Sequence, residues 1–162
     1  MIKKSYEIHK ITFSEALKRL GVICSRQEKC TSDILRKLKL WDIPENEALK
    51  ITEALKKDRF LDDSRYALFF ARDKYRINHW GREKIRFALR RKGIEPESIE
   101  NAINELGENN DFEILKDLLI KKMKVLKSSN SFIMKGKLAR FGLQRGFTFD
   151  IVNKVLDEIV KD

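Results

Sequence analysis

Residues 81–106, GREKIRFALRRKGIEPESIENAINEL, carry the pattern that decides the fold. Gly93 is suited to end one helix because glycine adopts left-handed dihedral angles at little cost. Pro96 is suited to begin the next helix. Apolar residues recur at helical spacing on both sides of this turn, at Ile85, Leu89, Ile94, Ile99, Ala102 and Leu106. The stretch therefore predicts two amphipathic helices joined by a short turn.

The same apolar pattern occurs in two other parts of the chain. The earlier copy falls on Ile34, Leu38, Ile43, Ala48, Ile51 and Leu55. The later copy falls on Leu138, Gly142, Phe147, Val152, Val155 and Ile159, where only Gly142 departs from the apolar series. The predicted helix stops also coincide, at Asp42, Gly93 and Gly146, and aspartate tolerates the left-handed region better than most residues. Matching spacing and stops indicate a tandem helical repeat, which usually presents a surface to a partner.

These repeats predict an all-α protein with nine helices in three tandem three-helix modules. We expect a flexible N-terminus over residues 1–10, followed by modules over residues 11–58, 59–108 and 109–162. No segment has the sustained two-residue alternation of apolar and polar side chains that is typical of β-strands. The repeat is clearest in the second and third helices of each module.

The composition favours a folded, basic protein with an acidic partner. The 162 residues include 35 Lys and Arg against 25 Asp and Glu, a formal net charge of +10. Such a charge attracts nucleic acid or an acidic protein surface. No run of about 18 apolar residues would span a membrane, and the first residues lack the apolar centre of a secretory signal. We expect a cytoplasmic monomer with no membrane association, in which Cys24 and Cys30 are reduced thiols.

Charge is divided between neighbouring helices in two of the three modules. Residues 82–92 contain six basic residues and one acidic residue, whereas residues 95–108 contain five glutamates and no basic residue. Residues 116–145 contain nine basic residues and one acidic residue, whereas residues 147–162 contain two basic and four acidic residues. Basic second helices beside acidic third helices predict one positive face that attracts a phosphate backbone or an acidic groove.

The aromatic residues allow two interpretations. Six of them can stack on nucleic-acid bases: Phe69, Tyr75, Trp80, Phe87, Phe141 and Phe149. Burial in the core is the favoured interpretation, because aromatic side chains at helical spacing usually pack inside a protein.

Sequence patterns of catalysis are lacking. The chain has neither a Walker-type phosphate loop nor a G-x-S-x-G nucleophile elbow. Asp62 and Asp63 allow a metal-dependent nuclease as an alternative, but two aspartates before an apolar run are more typical of a helix start. We therefore expect no enzymatic activity, no cofactor and no metal site.

Several stretches resemble the RecX family of bacterial recombinase modulators. The central one is LDDSRYA at residues 61–67, followed by Gly81, Ile85 and Leu89 and by KGI at residues 92–94. Residues 137–147 are similar to the third module of that family, and residues 25–38 are similar to its first module. The resemblance covers residues 13–160 and implies three three-helix modules in an elongated, curved array.

The resemblance also implies a partner, the RecA recombinase, usually as its filament on single-stranded DNA. Members of the family lodge in the helical groove of that filament and inhibit ATP hydrolysis, co-protease activity and strand exchange, or limit filament growth. Members also bind DNA directly. We predict that basic side chains of this chain face the groove, namely Lys84, Arg86, Arg90, Arg91, Lys121, Lys122, Lys124, Lys137 and Arg140. The alternative is a helical module that binds single- or double-stranded DNA without RecA.

Overall fold

A computed structural model describes residues 11–107, 110–126 and 130–160, and the predicted flexible N-terminus, residues 1–10, lies outside this part of the chain. Within the described residues the protein is all-α, with nine helices and no strand, as predicted. None of these helices is long and apolar enough to cross a membrane. The helices are α1 (Phe13–Arg26), α2 (Thr31–Leu40), α3 (Glu45–Lys57), α4 (Asp63–Arg76), α5 (Arg82–Arg91), α6 (Pro96–Asn104), α7 (Asp111–Val125), α8 (Ser131–Gln144) and α9 (Phe149–Ile159).

The repeated apolar positions form the core. All six positions of the first copy and all six of the second are buried, and in the third copy only Ile159 is partly exposed. Ile85 and Leu89 are fully buried, which confirms the face of α5 that the spacing predicts to be internal. Burying a leucine or isoleucine side chain stabilises the fold by about 1.5–3 kcal/mol, so these positions hold the helices together.

The three helix stops share one backbone conformation. Asp42, Gly93 and Gly146 have φ angles of 54°, 72° and 89°, in the left-handed region, as predicted. In each case the next residue donates its N–H to the carbonyl five residues earlier, as Ile94 does to Leu89 at 3.2 Å. This pattern is typical of a Schellman helix end, which satisfies carbonyls that the helix leaves unpaired.

Gly142 departs from the apolar series because its helix lies very close to two neighbours. A methyl group at Gly142 would lie 2.9 Å from Cγ2 of Val152 on α9 and 3.4 Å from Cδ1 of Leu115 on α7. A larger side chain would push α8 away from both helices, since a packed interior does not deform to admit it. The glycine therefore belongs to the same core as the apolar residues around it.

The chain divides into two compact units, Met1–Tyr66 and Ala67–Asp162. The core of the first includes Leu20, Leu38 and Ile51, and the core of the second includes Leu119, Leu138 and Val155. The boundaries of three modules remain a prediction, because this division has only two parts.

The LDDSRYA stretch, on which the family resemblance partly rests, makes several contacts inside the first unit. Asp62 accepts a hydrogen bond from the backbone N–H of Arg65 at 2.9 Å, which caps the start of α4. The carboxylate of Asp63 accepts hydrogen bonds from the backbone N–H and the hydroxyl of Thr31, both at 2.7 Å, at the start of α2. Arg65 Nε donates to Glu28 Oε1 at 2.7 Å. Asp62 therefore caps its own helix, as the favoured interpretation of the sequence predicts, whereas Asp63 accepts hydrogen bonds at the start of another helix, α2.

In the second unit, the start of α5 meets the turn between α8 and α9 at two glycines. Gly81 N–H donates to the carbonyl of Arg145 at 2.8 Å, and Glu83 N–H donates to the carbonyl of Gly146 at 3.2 Å. A Cβ atom on Gly81 would overlap the Gly146 carbonyl, and one on Gly146 would overlap Lys84. Two backbones can come this close only where both residues lack a side chain.

We expect Gly81→Ala to lower the free energy of unfolding by about 1–3 kcal/mol, because the added methyl group overpacks this contact. Gly136→Ala is the matched control, since Gly136 is exposed inside α8 and an added Cβ would meet no atom within 4 Å. The free energy of unfolding of the control should rise by about 1 kcal/mol, because alanine is a better helix former than glycine. Urea denaturation measures both changes, and a stabilised Gly81→Ala variant would contradict the close approach.

Candidate partner-binding site

All nine predicted partner-binding residues lie in the second unit, on α5, α7 and α8. These nine side chains differ in what they contact. Arg86 pairs with acidic side chains, Lys84 and Lys122 lie over aromatic rings, and the other six are exposed to solvent. These surroundings determine which positive charges remain available to a partner.

Arg86 is held by two glutamates of its own unit. Its Nε and Nη2 atoms donate to the Glu100 carboxylate of α6 at 2.9 and 3.1 Å, and its Nη1 atom donates to Glu83. The hydrogen bond with Glu100 raises the pKa of Arg86, and the same contact lowers the pKa of Glu100. The acidic third helix therefore offsets this charge, and Arg86 has less to offer a partner than the exposed cations have.

Two lysines lie over the indole ring of Trp80, which follows α4. Lys84 Nζ is 4.5 Å from the ring centroid and Lys74 Nζ is 5.3 Å from it. Phe70 contacts the same indole edge-on, with 6.3 Å between the ring centroids. Lys84 Nζ also donates to the carbonyl of Gln144 at 3.3 Å, next to the turn at Gly146. Trp80 thus fixes two positive charges beside the contact between α5 and α8.

Phe141 on α8 holds a second pair of cations. The Arg145 guanidinium carbon is 5.3 Å from the ring centroid and Lys122 Nζ is 5.4 Å from it. Arg145 Nη1 also donates to the carbonyl of Asn78, in the segment that leads to Trp80, at 3.0 Å. The cations around Phe141 and Trp80 are therefore linked through backbone carbonyls of Asn78 and Gln144.

These two clusters form one surface, which we call the cation–aromatic surface: Lys74, Trp80, Lys84, Lys122, Phe141 and Arg145. Within the part of the chain that the structure describes, none of its four cations forms an ion pair with a carboxylate. Each ring contact contributes about 0.5–1 kcal/mol at an exposed site and restrains the side chain without neutralising it. The surface is therefore positive and partly ordered before any partner binds.

The sequence interpretation missed two cations of this surface, Lys74 and Arg145. A signal for them was present in the spacing, because a cation follows an aromatic residue by four positions at Phe70–Lys74, Trp80–Lys84 and Phe141–Arg145. Within a helix, side chains four residues apart meet on one face, as Phe70 and Lys74 do on α4, whereas Trp80 lies just before α5.

The core interpretation of the aromatic residues was only partly right. Tyr75 is buried, as expected, and Trp80 and Phe141 are half-buried. Phe69, Phe87 and Phe149 are 52%, 61% and 64% exposed, so the prediction that they belong to the core was wrong. Phe87 lies between Ile85 and Leu89 in sequence, and two residues along a helix turn the side chain to the opposite face.

The other six predicted cations are exposed on the same three helices. Arg90 and Arg91 are exposed at the end of α5, where the Arg91 guanidinium carbon is 5.9 Å from the Phe87 ring centroid. Lys121 and Lys124 are exposed on α7, and Lys137 and Arg140 are exposed on α8. None of these six residues has an ion-pair partner among the described residues.

A buried acid fixes the start of α7, which carries Lys122. Asp111 is only 3% exposed, and its Oδ1 atom accepts a hydrogen bond from the Tyr75 hydroxyl at 2.7 Å. Arg82 Nε lies 3.5 Å from the same oxygen, and the Arg82 guanidinium donates to the carbonyls of Ile103 and Gly107. Burial, followed by the hydrogen bond to Asp111, raises the pKa of Tyr75 to about 12. The sequence interpretation missed this group, because its partners are far apart along the chain.

Two family models match the chain. The model of the second three-helix domain of RecX matches residues 62–103, and that of the third three-helix domain matches residues 109–156, together more than half of the chain. The chain belongs to the RecX family. Its fold agrees, because the crystal structure of a regulatory protein RecX aligns with a TM-score of 0.80 at 26% identity, over 90% of this chain and 71% of that chain. RecX from Lactobacillus salivarius aligns with a TM-score of 0.76 at 22% identity, over 91% and 96% of the two chains.

Curated relatives carry the name regulatory protein RecX. The protein of Clostridium beijerinckii is 29% identical over 140 residues, which are 85% of this chain and 65% of that protein. The protein of Clostridium botulinum strain Alaska E43 is 33% identical over 135 residues, which are 82% and 63% of the two chains. The chain thus spans just under two thirds of the length of these relatives.

Replacing Tyr75 with phenylalanine tests the buried group. At pH 7 the free energy of unfolding should fall by roughly 1–3 kcal/mol, because buried Asp111 loses a hydrogen-bond donor. A raised pKa means that folded Tyr75 keeps its proton to higher pH than unfolded Tyr75 does. Its contribution is therefore complete below about pH 10 and is lost as the pH rises toward about 12. Urea denaturation measures the free energy of unfolding of wild type and of Tyr75→Phe at each pH. The difference between the two free energies should narrow over that range, and a difference that stays constant would contradict the hydrogen bond.

Proposed function

We propose that this chain is a regulator that binds filaments of the RecA recombinase in the cytoplasm and inhibits their ATP hydrolysis, strand exchange and co-protease activity. It acts by binding and not by catalysis. Membership of the RecX family supports this proposal, as does the name regulatory protein that its relatives carry. The observation that carries the proposal is the cation–aromatic surface, which presents four positive charges without paired carboxylates.

A positive surface of this kind fits a partner built from repeating acidic elements. The cation–aromatic surface supplies ordered charges, and the exposed cations are further contacts: Arg90, Arg91, Lys121, Lys124, Lys137 and Arg140. Attraction between exposed charges also speeds the encounter with the partner. A ligand shifts a conformational equilibrium only by its difference in affinity for the two states. Inhibition therefore requires that the chain bind an inactive or disassembling filament state more tightly than the active one.

The test is ATP hydrolysis by the cognate RecA on single-stranded DNA, with this chain added below the RecA concentration. Wild type should inhibit. Lys84→Gln with Lys122→Gln should need about fivefold more protein for half inhibition, since each exposed ion pair contributes about 0.5 kcal/mol. Lys50→Gln with Lys154→Gln, which removes two exposed lysines elsewhere, should behave as wild type. No inhibition by wild type at low or moderate salt would refute the proposal.

Direct binding of DNA is the second candidate function, and Phe87 favours it. Its ring is 61% exposed on the same helix as Arg90 and Arg91. An exposed aromatic ring among cations is the usual arrangement for single-stranded nucleic acid, because bases stack on the ring while cations contact phosphates.

Titration of a labelled single-stranded oligonucleotide without RecA tests this candidate. Phe87→Ala should weaken binding about tenfold, in line with the loss of one stacked base. Phe149→Ala removes a similarly exposed ring from the acidic helix α9 and should leave binding unchanged. Equal effects of the two variants would argue against stacking on Phe87. For wild type, the logarithm of the binding constant should fall steeply with the logarithm of the salt concentration, because each phosphate contact releases counterions.

A further inference from the structure

The end of α7 and the start of α8 expose apolar side chains among lysines. Phe132 is 85% exposed, Val125 is 73% exposed and Ile133 is 48% exposed. Lys121 lies one helical turn before Val125, and Lys137 lies one turn after Ile133, so charged and apolar side chains share each helix face. We call this set the basic apolar patch: Lys121, Lys124, Val125, Phe132, Ile133 and Lys137. Exposed apolar side chains grouped in this way are typical of protein contacts.

The first unit carries a patch of opposite charge around the turn between α2 and α3. Leu40 is 77% exposed at the end of α2, and Leu49 is 50% exposed on α3. Glu45 and Glu53 lie one turn before and one turn after Leu49, and Asp42 is exposed at the turn. We call these residues the acidic apolar patch: Leu40, Asp42, Glu45, Leu49 and Glu53. Its three carboxylates have no ion-pair partner among the described residues.

We propose that these two patches bind each other between copies of the chain, the basic apolar patch of one copy on the acidic apolar patch of the next. Their charges are opposite, and each includes large exposed apolar side chains. Because the two surfaces differ, the contact is heterologous and each copy keeps one patch free for another copy. This inference goes beyond the proposed function and replaces the expectation of a monomer.

Each patch offers only two or three large exposed apolar side chains, so we expect the contact to be weak in free solution. Interfaces below about 1,200 Å² are typical of transient association. Lys121, Lys124 and Lys137 are also proposed contacts with the recombinase filament, so binding to a filament would compete with this contact between copies.

Sedimentation equilibrium of the chain alone, without recombinase or DNA, tests the proposal separately from the proposed function. The weight-average mass should rise above the 19.1 kDa of one chain as the concentration increases from about 10 μM to about 1 mM. Raising the salt from about 0.05 M to about 0.5 M should reduce this rise, since salt screens exposed charges. Phe132→Ser should reduce it without changing the charge. A mass that stays at 19.1 kDa throughout would overturn the proposal.

Charge exchange identifies the two surfaces. Lys121→Glu with Lys124→Glu makes both patches acidic, and Glu45→Lys with Glu53→Lys makes both patches basic. Each double variant alone should remain at the mass of one chain, whereas an equal mixture should associate as wild type does. Lys18→Glu with Lys154→Glu changes the net charge equally at exposed sites outside the patches and should still associate. Variants that associate alone, or a mixture that does not recover, would overturn the head-to-tail contact.

Discussion

The second unit depends on the close approach of two glycines. Gly81 and Gly146 let the start of α5 touch the turn after α8, and hydrogen bonds from Gly81 and Glu83 to the backbone of that turn fix the contact. Gly146 meets a second demand at the same place, since its φ angle of 89° ends α8 in the left-handed region. Gly146 is thus required for two reasons, because it ends the helix in the left-handed region and leaves room for the packing contact.

The same contact determines which cations face outward. Lys84 and Arg86 are two residues apart on α5, but Lys84 reaches the Gln144 carbonyl beside α8 and Arg86 reaches Glu100 on α6. A backbone carbonyl orders a lysine without cancelling its charge, whereas a carboxylate offsets an arginine. The acidic third helix therefore does not simply lie beside a basic face. The Glu100 carboxylate on α6 offsets the charge of Arg86, whereas no carboxylate of α6 offsets the charge of Lys84, which lies beside α8.

The sequence could predict the helices, the buried positions and the left-handed stops, because each follows from spacing or residue type within a few positions. Leu89 and Gly93 are examples, and both predictions are confirmed. Gly142 and Asp111 could not be understood in this way. The need for a glycine comes from Val152 and Leu115, and the burial of the acid comes from Tyr75 and Arg82. Such requirements arise only when distant segments pack, so local pattern carries no direct sign of them.

The residues that carry part of the family resemblance are occupied inside the protein. Asp63 caps α2 through Thr31, Arg65 pairs with Glu28, and Gly81 admits a neighbouring turn. A residue engaged in this way stabilises the scaffold. Where the residue is charged, as Arg65 is, its internal partner offsets much of that charge. The signature therefore identifies the fold, whereas we propose that recognition of a partner falls to side chains outside it. In a repeat scaffold this separation would let the proposed contact residues, such as Lys122 and Phe87, change without disturbing the helix packing, because the lysine charge and the phenylalanine ring lie outside the buried core.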